Sequence, residues 1–198
     1  MHVRNRYLWV VPNWNLIIFV FTIYAVWNTH ARIEKATAEA FIMSWASLTP
    51  AVTIESPCIT PQSAPTATDA RVDLDTPDEL AIRSLLLGIV HRTAGYYVPA
   101  RAFLKDAYQR QAEIENSIWV GGVALFESAV LDLKEAEVSI TADAKTTWAA
   151  AIKNALEKLD KAFTLATSSN TDLSSRLDTR IAMLRDEIAM KKEMLGLV

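Results

Sequence analysis

Few residues in this chain have the type and spacing that chemistry requires. The three histidines, His2, His30 and His91, share no spacing typical of metal ligands. His91 also has no Ser, Cys or carboxylate placed with it, which favours a packing or turn-capping role over catalysis. The single cysteine, Cys58, lies in a segment rich in Pro, Ser and Thr, so an exposed and inert thiol is predicted. We therefore predict no catalytic, cofactor-binding or metal-binding residue, and no enzymatic activity.

Two further patterns resemble binding motifs but lack essential parts. An acidic cluster consists of Asp73, Asp75, Asp78 and Glu79. It has neither the Gly nor the later Glu of a calcium-binding loop, and negative charge near a helix N-terminus is stabilising in any case. The pair Gly121-Gly122 lacks the preceding strand and the third glycine of a phosphate-binding loop. Both patterns therefore favour structural roles.

Composition favours a helical protein. The chain has 198 residues, of which 51% are hydrophobic and only five are glycine. The formal net charge of −3 produces no field that would attract nucleic acid, so no nucleic-acid partner is predicted. A single cysteine excludes an internal disulfide and fits a reducing compartment.

The N-terminal segment, residues 1–29, is strongly apolar. Residues 8–27 carry no charge, and a span of about 20 residues is long enough to cross a bilayer. Pro12 and two asparagines interrupt its first half, and basic residues flank both ends, so the positive-inside rule gives no orientation. No cleavage site of small residues follows, so a cleaved signal peptide is not predicted. Two interpretations stay open for this segment: a membrane-spanning helix and a buried core helix.

The next two segments differ sharply in composition. Residues 30–48 are predicted to form an amphipathic helix, with a face formed by Ile33, Ala36, Ala40, Phe41 and Trp45. Residues 49–75 hold four prolines among many Ser and Thr, a composition that supports neither a helix nor a buried core. They are predicted to be a linker between two packed parts.

Residues 76–198 are predicted to form a helical domain. Thr76, Pro77 and Glu79 match a capping box with proline at the first helical position. Helices are predicted over residues 77–94, 99–114, 116 or 117 to 138, 144–166 and 172–195. The fourth has an apolar stripe that ends at Phe163, and the last has a solvent-facing side that includes Arg180, as the end of a solenoid requires.

Two glycines, Gly88 and Gly122, lie 34 residues apart inside apolar helical segments. A helix-interior glycine costs about 1 kcal/mol relative to alanine, so each is predicted to mark a close helix–helix contact. The same period is typical of the tetratricopeptide repeat, a helix–turn–helix unit that stacks into a solenoid. The first unit keeps the small residues but lacks most of the large aromatic ones; its packing positions are Leu87, Gly88, His91, Ala100, Leu104 and Ala107. A second unit with longer helices has its packing positions at Gly122, Leu125, Ala155, Leu159 and Ala162.

The predicted fold is therefore all-α: antiparallel helix pairs stacked as a short tetratricopeptide-like solenoid with a C-terminal capping helix. The run LLLGIVHRTAGYYVPARAFLKDA resembles the C-terminal repeat region of the tetratricopeptide repeat protein 39 family, whose fungal branch is the inclusion-body clearance proteins. The segments WVGGVALFESAVLDL, IKNALEKLDKA and SSRLDTRIAMLRDEI are similar to that region as well. The resemblance covers residues 79–195 and extends more weakly over residues 27–50. Since the chain is far shorter than members of that family, it corresponds to their C-terminal part only.

The resemblance implies a helical scaffold without catalytic residues or cofactors that binds protein partners. Fungal members are linked to the clearance of misfolded-protein inclusions with help from lipid droplets, and they are placed in the cytoplasm, in the nucleus and at the mitochondrial outer membrane. Candidates for a partner surface are Tyr96, Tyr97, Arg101 and Lys105. The alternative for the two tyrosines, which the sequence favours, is that they fill the turn between two helices. One alternative is a membrane-anchored adaptor that uses residues 8–27 as a transmembrane helix. A second is a helical enzyme of unrecognised type, which would need a pocket with convergent titratable groups.

Overall fold

The computed structural model describes residues 33–59, 74, 76–139, 143–169 and 172–197. Within these ranges the chain is all-α, with six α-helices and no strand. In chain order the helices are α1 (Lys35–Ala46), α2 (Pro77–Ala94), α3 (Tyr97–Gln109), α4 (Trp119–Val138), α5 (Ala144–Ser169) and α6 (Asp172–Leu195). None of them is long and apolar enough to span a membrane. Residues 8–27, for which a transmembrane or a core helix was predicted, lie outside the described ranges.

Each helix packs against its neighbours in the chain, and α4 also contacts α2 and α6. Among the described helices α4 is therefore the central one, in contact with α2, α3, α5 and α6. The side chains between the helices form one continuous apolar core, whose largest fully buried members include Trp45, Leu85, Phe103, Leu131, Leu159 and Ile181. Removal of this apolar surface from water is the main force that holds the stack together.

Gly88 lies where α2 and α3 approach most closely. A Cβ atom at Gly88 would lie 2.6 Å from Cγ of Leu104 and 3.1 Å from the Leu104 backbone nitrogen. Gly122 occupies a different contact, since its Cβ would lie 3.0 Å from Cδ2 of Leu177 in α6 and 3.6 Å from the carbonyl oxygen of Ala162 in α5. Both glycines therefore mark close helix contacts, the first with one helix and the second with two.

Two carboxylates of the acidic cluster organise helix starts. Glu79 completes a capping box with Thr76 at the start of α2. Asp78 accepts hydrogen bonds from the backbone N–H groups of Glu115, Asn116 and Ser117, the loop before α4. Burial of Asp78 opposes its ionisation, but these three amide donors outweigh that effect and lower its pKa.

Asp78 also explains a difference between the predicted and observed boundaries of α4. The helix was predicted to begin at residue 116 or 117, but it begins at Trp119. Asp78 binds the amides of residues 115–117 and so holds them in a loop, and the helix begins only after that loop. The preceding helix, α3, ends at Gln109 and continues as a short 3₁₀ turn over Arg110–Ala112, so it is shorter than predicted.

Helix α1 buries a different face from the predicted one. Ala38, Ile42 and Trp45 are buried against α2, whereas Ala36 and Ala40 are exposed. Only Trp45 of the predicted face is fully buried. Ile42 and Trp45 fill more space between helices than the alanines do, so contact with α2 selects the face that carries them.

Two predictions of whether a side chain faces the core or the solvent are also wrong. Phe163, predicted to lie on the apolar stripe of α5, is 41% exposed. Its ring lies 5.8 Å from the guanidinium carbon of Arg185, which covers it in part. Arg180, predicted on the solvent-facing side of α6, is instead almost buried in an ion pair with α4.

Residues 50–59, which we call the strap, contain no helix but pack against the stack. Val52, Ile54 and Cys58 are partly buried against the core, which differs from the expectation that this stretch buries nothing and that the thiol is exposed. The guanidinium of Arg83 donates from Nη1 to the carbonyl oxygens of Leu48 (2.9 Å) and Pro50 (2.7 Å). The sequence did not reveal this contact, because it joins residues more than thirty positions apart.

Candidate partner-binding groove

An open, charged groove lies where α3, α4 and α5 meet. The volume of this groove is about 560 Å³. Its floor includes Ala136 and Ala151, small residues that leave room between the helices. Its charged side chains are Arg101, Asp132, Glu135, Glu157, Lys158 and Lys161. We call this site the charged groove.

Asp132 is the central anion of the charged groove. Its side chain is only 6% exposed and forms ion pairs with Arg101 of α3 and Lys158 of α5. Arg101 Nη1 lies 2.7 Å from Asp132 Oδ1, and Arg101 Nη2 lies 2.5 Å from Glu135 Oε2. Burial opposes the charge on Arg101, but these two carboxylates outweigh it and raise the pKa of Arg101 further. Arg101 is therefore a permanent cation, held in place by carboxylates of α4.

Other polar groups of the charged groove are available to a ligand. Glu157 and Lys161 form no ion pair with another described residue, and both side chains are exposed. The amide of Asn154 lines the same wall of α5. Along one face of α5 the groove thus presents a carboxylate and an ammonium group without ion-pair partners among the described residues, and an amide. Together these groups can donate or accept hydrogen bonds and attract ligand charges of either sign.

A carboxylate on the other side of α4 binds two cations as well, but away from water. Glu127 is fully buried; its Oε2 lies 2.6 Å from Nη2 of Arg92 in α2, and its Oε1 lies 2.7 Å from Nη2 of Arg180 in α6. The guanidinium of Arg180 also lies 4.2 Å from the ring centroid of Phe126. We call Arg92, Glu127 and Arg180 the buried ion triad. Since it is sealed among α2, α4 and α6, it joins helices and offers no site to a ligand.

A second, more apolar groove of about 270 Å³ lies among α4, α5 and α6. Its lining includes Leu133, Trp148, Ile152 and Ile188. The ammonium group of Lys191 lies 4.3 Å from the Trp148 ring centroid and covers part of the apolar surface. A cation over the indole makes this groove less accessible to an apolar ligand than its lining suggests.

The four residues predicted as a partner surface fall in different places. Arg101 lines the charged groove, and Lys105 is exposed one turn further along α3. Tyr96 lies elsewhere: its hydroxyl donates to Glu39 of α1 (2.6 Å), and this hydrogen bond, together with one to Cys58, raises the pKa of Tyr96. Tyr97 is the first residue of α3 and is half-buried. The structure therefore brings Arg101 into the candidate site and uses Tyr96 to join α1 to the α2–α3 turn.

The residues predicted as repeat-packing positions lie at helix contacts. In the first unit Leu87, Ala100, Leu104 and Ala107 have no exposed surface, and the same is true of Ala155, Leu159 and Ala162 in α5. Leu125 is buried in α4. His91 is fully buried and stacks on Phe103 at a centroid distance of 5.0 Å. A serine that sequence spacing did not associate with this histidine, Ser56, lies 2.7 Å from its Nε2.

Sequence patterns did not single out Asp132, Lys158 or Glu127. One signal could have found the two carboxylates: each interrupts the largely apolar run of α4, where an unpaired charge would be costly. Nothing in the sequence indicates which cations pair with them, because Arg101, Lys158, Arg92 and Arg180 are on four other helices.

In the part of the chain that the structure describes, no group of three or more His, Cys, Asp or Glu side chains is arranged to hold a metal ion. Comparison of the chain with protein-family models, with curated proteins and with solved structures gives no match.

Proposed function

We propose that this chain is a non-enzymatic helical scaffold that binds a segment of another protein in the charged groove. The observation that carries the proposal is the construction of that groove: three helices meet there, and ion pairs fix Arg101 and Lys158 around a nearly buried Asp132. The groove is preorganised, so a partner would not have to order these side chains on binding. The stacking of α2–α3 and α4–α5 as tetratricopeptide-like pairs is part of the same proposal.

A polypeptide segment suits the charged groove better than a small molecule does. Small-molecule sites are mostly enclosed and apolar, with a few polar groups. Here the groove is open, and charges of both signs line it. A peptide can meet such a surface with backbone amides and carbonyls as well as charged side chains, and complementary charges then set its register.

A displayed library of random peptides tests the proposal. We expect the full chain to enrich a set of related sequences, and we expect Lys161→Glu to weaken binding of the enriched peptides at least tenfold, about 1.4 kcal/mol. Lys153→Glu is the matched control, because Lys153 is an exposed lysine of α5 outside the groove lining. Equal loss in both variants would indicate non-specific attraction, and failure to enrich any sequence would refute the proposal.

The role in clearing misfolded-protein inclusions rests on the family resemblance alone. We propose it as the setting in which a scaffold of this kind acts, with cytoplasm, nucleus, lipid droplets and mitochondrial outer membrane as its candidate locations. Its test is the rate at which cells lacking the gene clear a reporter inclusion. The intact chain should restore that rate, whereas Lys161→Glu should not. A normal rate without the gene would refute this role and leave peptide binding untouched.

A membrane-anchored adaptor is the alternative that residues 8–27 suggest. Carbonate extraction of the full chain from cells distinguishes a membrane-anchored protein from one that is not anchored. An anchored protein stays with the membrane fraction at alkaline pH, and release of the full chain into the soluble fraction would refute the anchor.

A further inference from the structure

The strap lies on the helices with alternating exposure, and it ends in a turn at Pro57 and Cys58, where the Ile59 N–H donates to the carbonyl oxygen of Ser56 (3.1 Å). Val52, Ile54, Ser56 and Cys58 are partly buried, whereas the residues between them are exposed. A period of two is typical of an extended chain whose alternate side chains contact a surface. The side of the strap that faces the stack is apolar except at Ser56.

Ser56 makes a defined hydrogen bond to a buried histidine. Its Oγ lies 2.7 Å from Nε2 of His91, and Nδ1 of His91 lies 2.6 Å from the carbonyl oxygen of Leu87. A carbonyl only accepts, so Nδ1 carries the proton and donates to it, which leaves Nε2 as the acceptor for the Ser56 hydroxyl. Burial lowers the pKa of His91, which keeps the ring neutral at physiological pH. The bond therefore depends on the hydroxyl hydrogen of Ser56.

Ser56 is followed by Pro57, the dipeptide that proline-directed kinases modify. Ser or Thr also precedes Pro50, Pro61 and Pro77, so such dipeptides recur in and beside the predicted linker. Glu55 and Pro57 are exposed on either side of Ser56. The strap has no regular helix or strand of its own, and segments of this kind open locally at low free-energy cost.

We propose that Ser56 is a phosphorylation site for a proline-directed kinase, and that its phosphorylation releases the strap from α2. In the transfer the Ser56 oxygen forms a bond to the γ-phosphorus of ATP, and the bond from that phosphorus to the bridging oxygen of ADP breaks. The hydroxyl proton passes to the catalytic base of the kinase. The modified side chain has lost its donor and carries about −1.5 to −2 charges at pH 7.

The phosphorylated side chain no longer fits against α2. Neutral His91 has a lone pair at Nε2 and no hydrogen to offer a phosphate there, and the ring has no exposed surface. The backbone N–H of Cys58 donates to Ser56 Oγ (3.2 Å), but one amide donor does not offset the charge of a dianion. To keep the phosphate in place, the protein would have to protonate a buried imidazole or bury the dianion against a neutral ring, and both are costly. Ser56 therefore swings outward and carries its neighbours with it.

The release is confined to one end of the strap. Arg83 holds Leu48 and Pro50 through their carbonyl oxygens, a contact that phosphorylation of Ser56 does not change. The segment that lifts includes Ile54, Cys58 and Ile59, which pack against the core. Its departure exposes apolar surface beside His91 and Tyr96, so the modified protein gains a surface that the unmodified one covers.

Hydrogen–deuterium exchange of the full chain tests the proposal, before and after treatment with a proline-directed kinase and ATP. Mass spectrometry should locate a phosphate on Ser56, and amide exchange over residues 52–59 should then rise at least tenfold while exchange in α4 stays unchanged. Ser56→Glu, measured without kinase, should give the same local increase. Thr53→Glu is the matched control, since residue 53 points away from the stack and the same charge there should leave exchange unchanged.

Three results would overturn the proposal. The first is a folded chain that the kinase modifies elsewhere but not at Ser56. The second is Ser56→Glu with exchange over residues 52–59 equal to that of the unmodified chain. The third is an equal increase in Ser56→Glu and Thr53→Glu, which would show that negative charge anywhere on the strap destabilises it. Ser56→Ala separates loss of the hydrogen bond from gain of charge, and we expect it to raise exchange less than Ser56→Glu does.

Discussion

Helix α4 carries two carboxylates that each bind two cations, and the two sites differ in their access to water. Glu127 joins α2 and α6 and is fully buried, with Arg92 and Arg180 almost buried as well. Asp132, five residues later, joins α3 and α5, but its partners Arg101 and Lys158 remain 41% and 26% exposed. The same arrangement of charges therefore holds helices together on one side of α4 and forms a candidate binding site on the other.

The difference follows from what surrounds each pair of cations. Around Glu127 the neighbouring helices leave the carboxylate without solvent contact, so the charges interact at low effective dielectric and do not readily exchange partners with a ligand. Around Asp132 the small side chains of Ala136 and Ala151 leave the groove open to solvent. Water screens that site, and a ligand can compete for its cations at modest cost.

Removal of the buried anion is expected to have the largest effect. Glu127→Gln removes the buried carboxylate charge that both Arg92 and Arg180 contact, and we expect it to lower the free energy of unfolding by about 3–5 kcal/mol. Urea denaturation measures the loss, with Glu193→Gln on the exposed side of α6 as the control. A loss below about 1 kcal/mol would mean that water reaches the buried ion triad, and the contrast with Asp132 would fail.

Replacement of the whole buried ion triad tests whether its charges are needed for stability. Arg92→Met, Glu127→Leu and Arg180→Met combined remove all three charges and fill the space with apolar atoms. Such replacements are often neutral or stabilising by about 1–4 kcal/mol, so we expect the triple variant to unfold at no lower urea concentration than the intact chain. If the triple variant is as unstable as Glu127→Gln, the charges contribute specific stability that apolar packing does not replace.

Asp132→Asn should affect binding more than folding. Its partners can turn toward water, so we expect a loss of roughly 1–2 kcal/mol in the free energy of unfolding. Binding of library-selected peptides should fall at least tenfold, because Arg101 and Lys158 lose the anion that orients them. Isothermal titration and urea denaturation measure the two effects, with Asp160→Asn on the exposed side of α5 as the control. Unchanged peptide affinity would show that the ligand does not use this site.

The smallest expected difference between Glu127 and Asp132 is in how ionic strength changes their contributions to stability. At about 1 M salt the Debye length is about 3 Å, which screens partly exposed pairs but hardly affects buried ones. The stability difference between Asp132→Asn and the intact chain should therefore shrink by a few tenths of a kcal/mol. The difference for Glu127→Gln should stay constant within error. An equal salt response in both variants would place the two sites in similar environments.

The sequence predicts helix positions in residues 76–198 better than it predicts their partners. Apolar spacing and the capping box at Thr76 indicated a helix from Pro77, and the observed α2 spans Pro77–Ala94. The start of α4 was misplaced, because Asp78 and the loop that it binds are far apart in sequence. The end of α3 was misplaced as well, since the chain continues from Gln109 as a short 3₁₀ turn. The buried face of α1 was also wrong, since it is chosen by contact with α2.

The candidate site was predicted in part. Arg101 was singled out as a charged residue on α3, but it was grouped with Tyr96, which lies at a different contact. The groove depends on Asp132, and spacing along one helix gives no information on which cations from α3 and α5 will meet that carboxylate. The contact of Ser56 with His91 was missed for the same reason, because a 35-residue separation hides the hydrogen bond between them.

The sequence by itself determined the all-helical class and where glycine permits a close approach, since local propensity and apolar periodicity act over a few residues. The tertiary structure alone decided which charges are sealed and which face solvent. Glu127 and Asp132 lie five residues apart on one helix, and their chemistry along the chain is similar. Their environments differ because the neighbouring helices close over one side of α4 and leave the other side open, and only the packing of distant segments determines that.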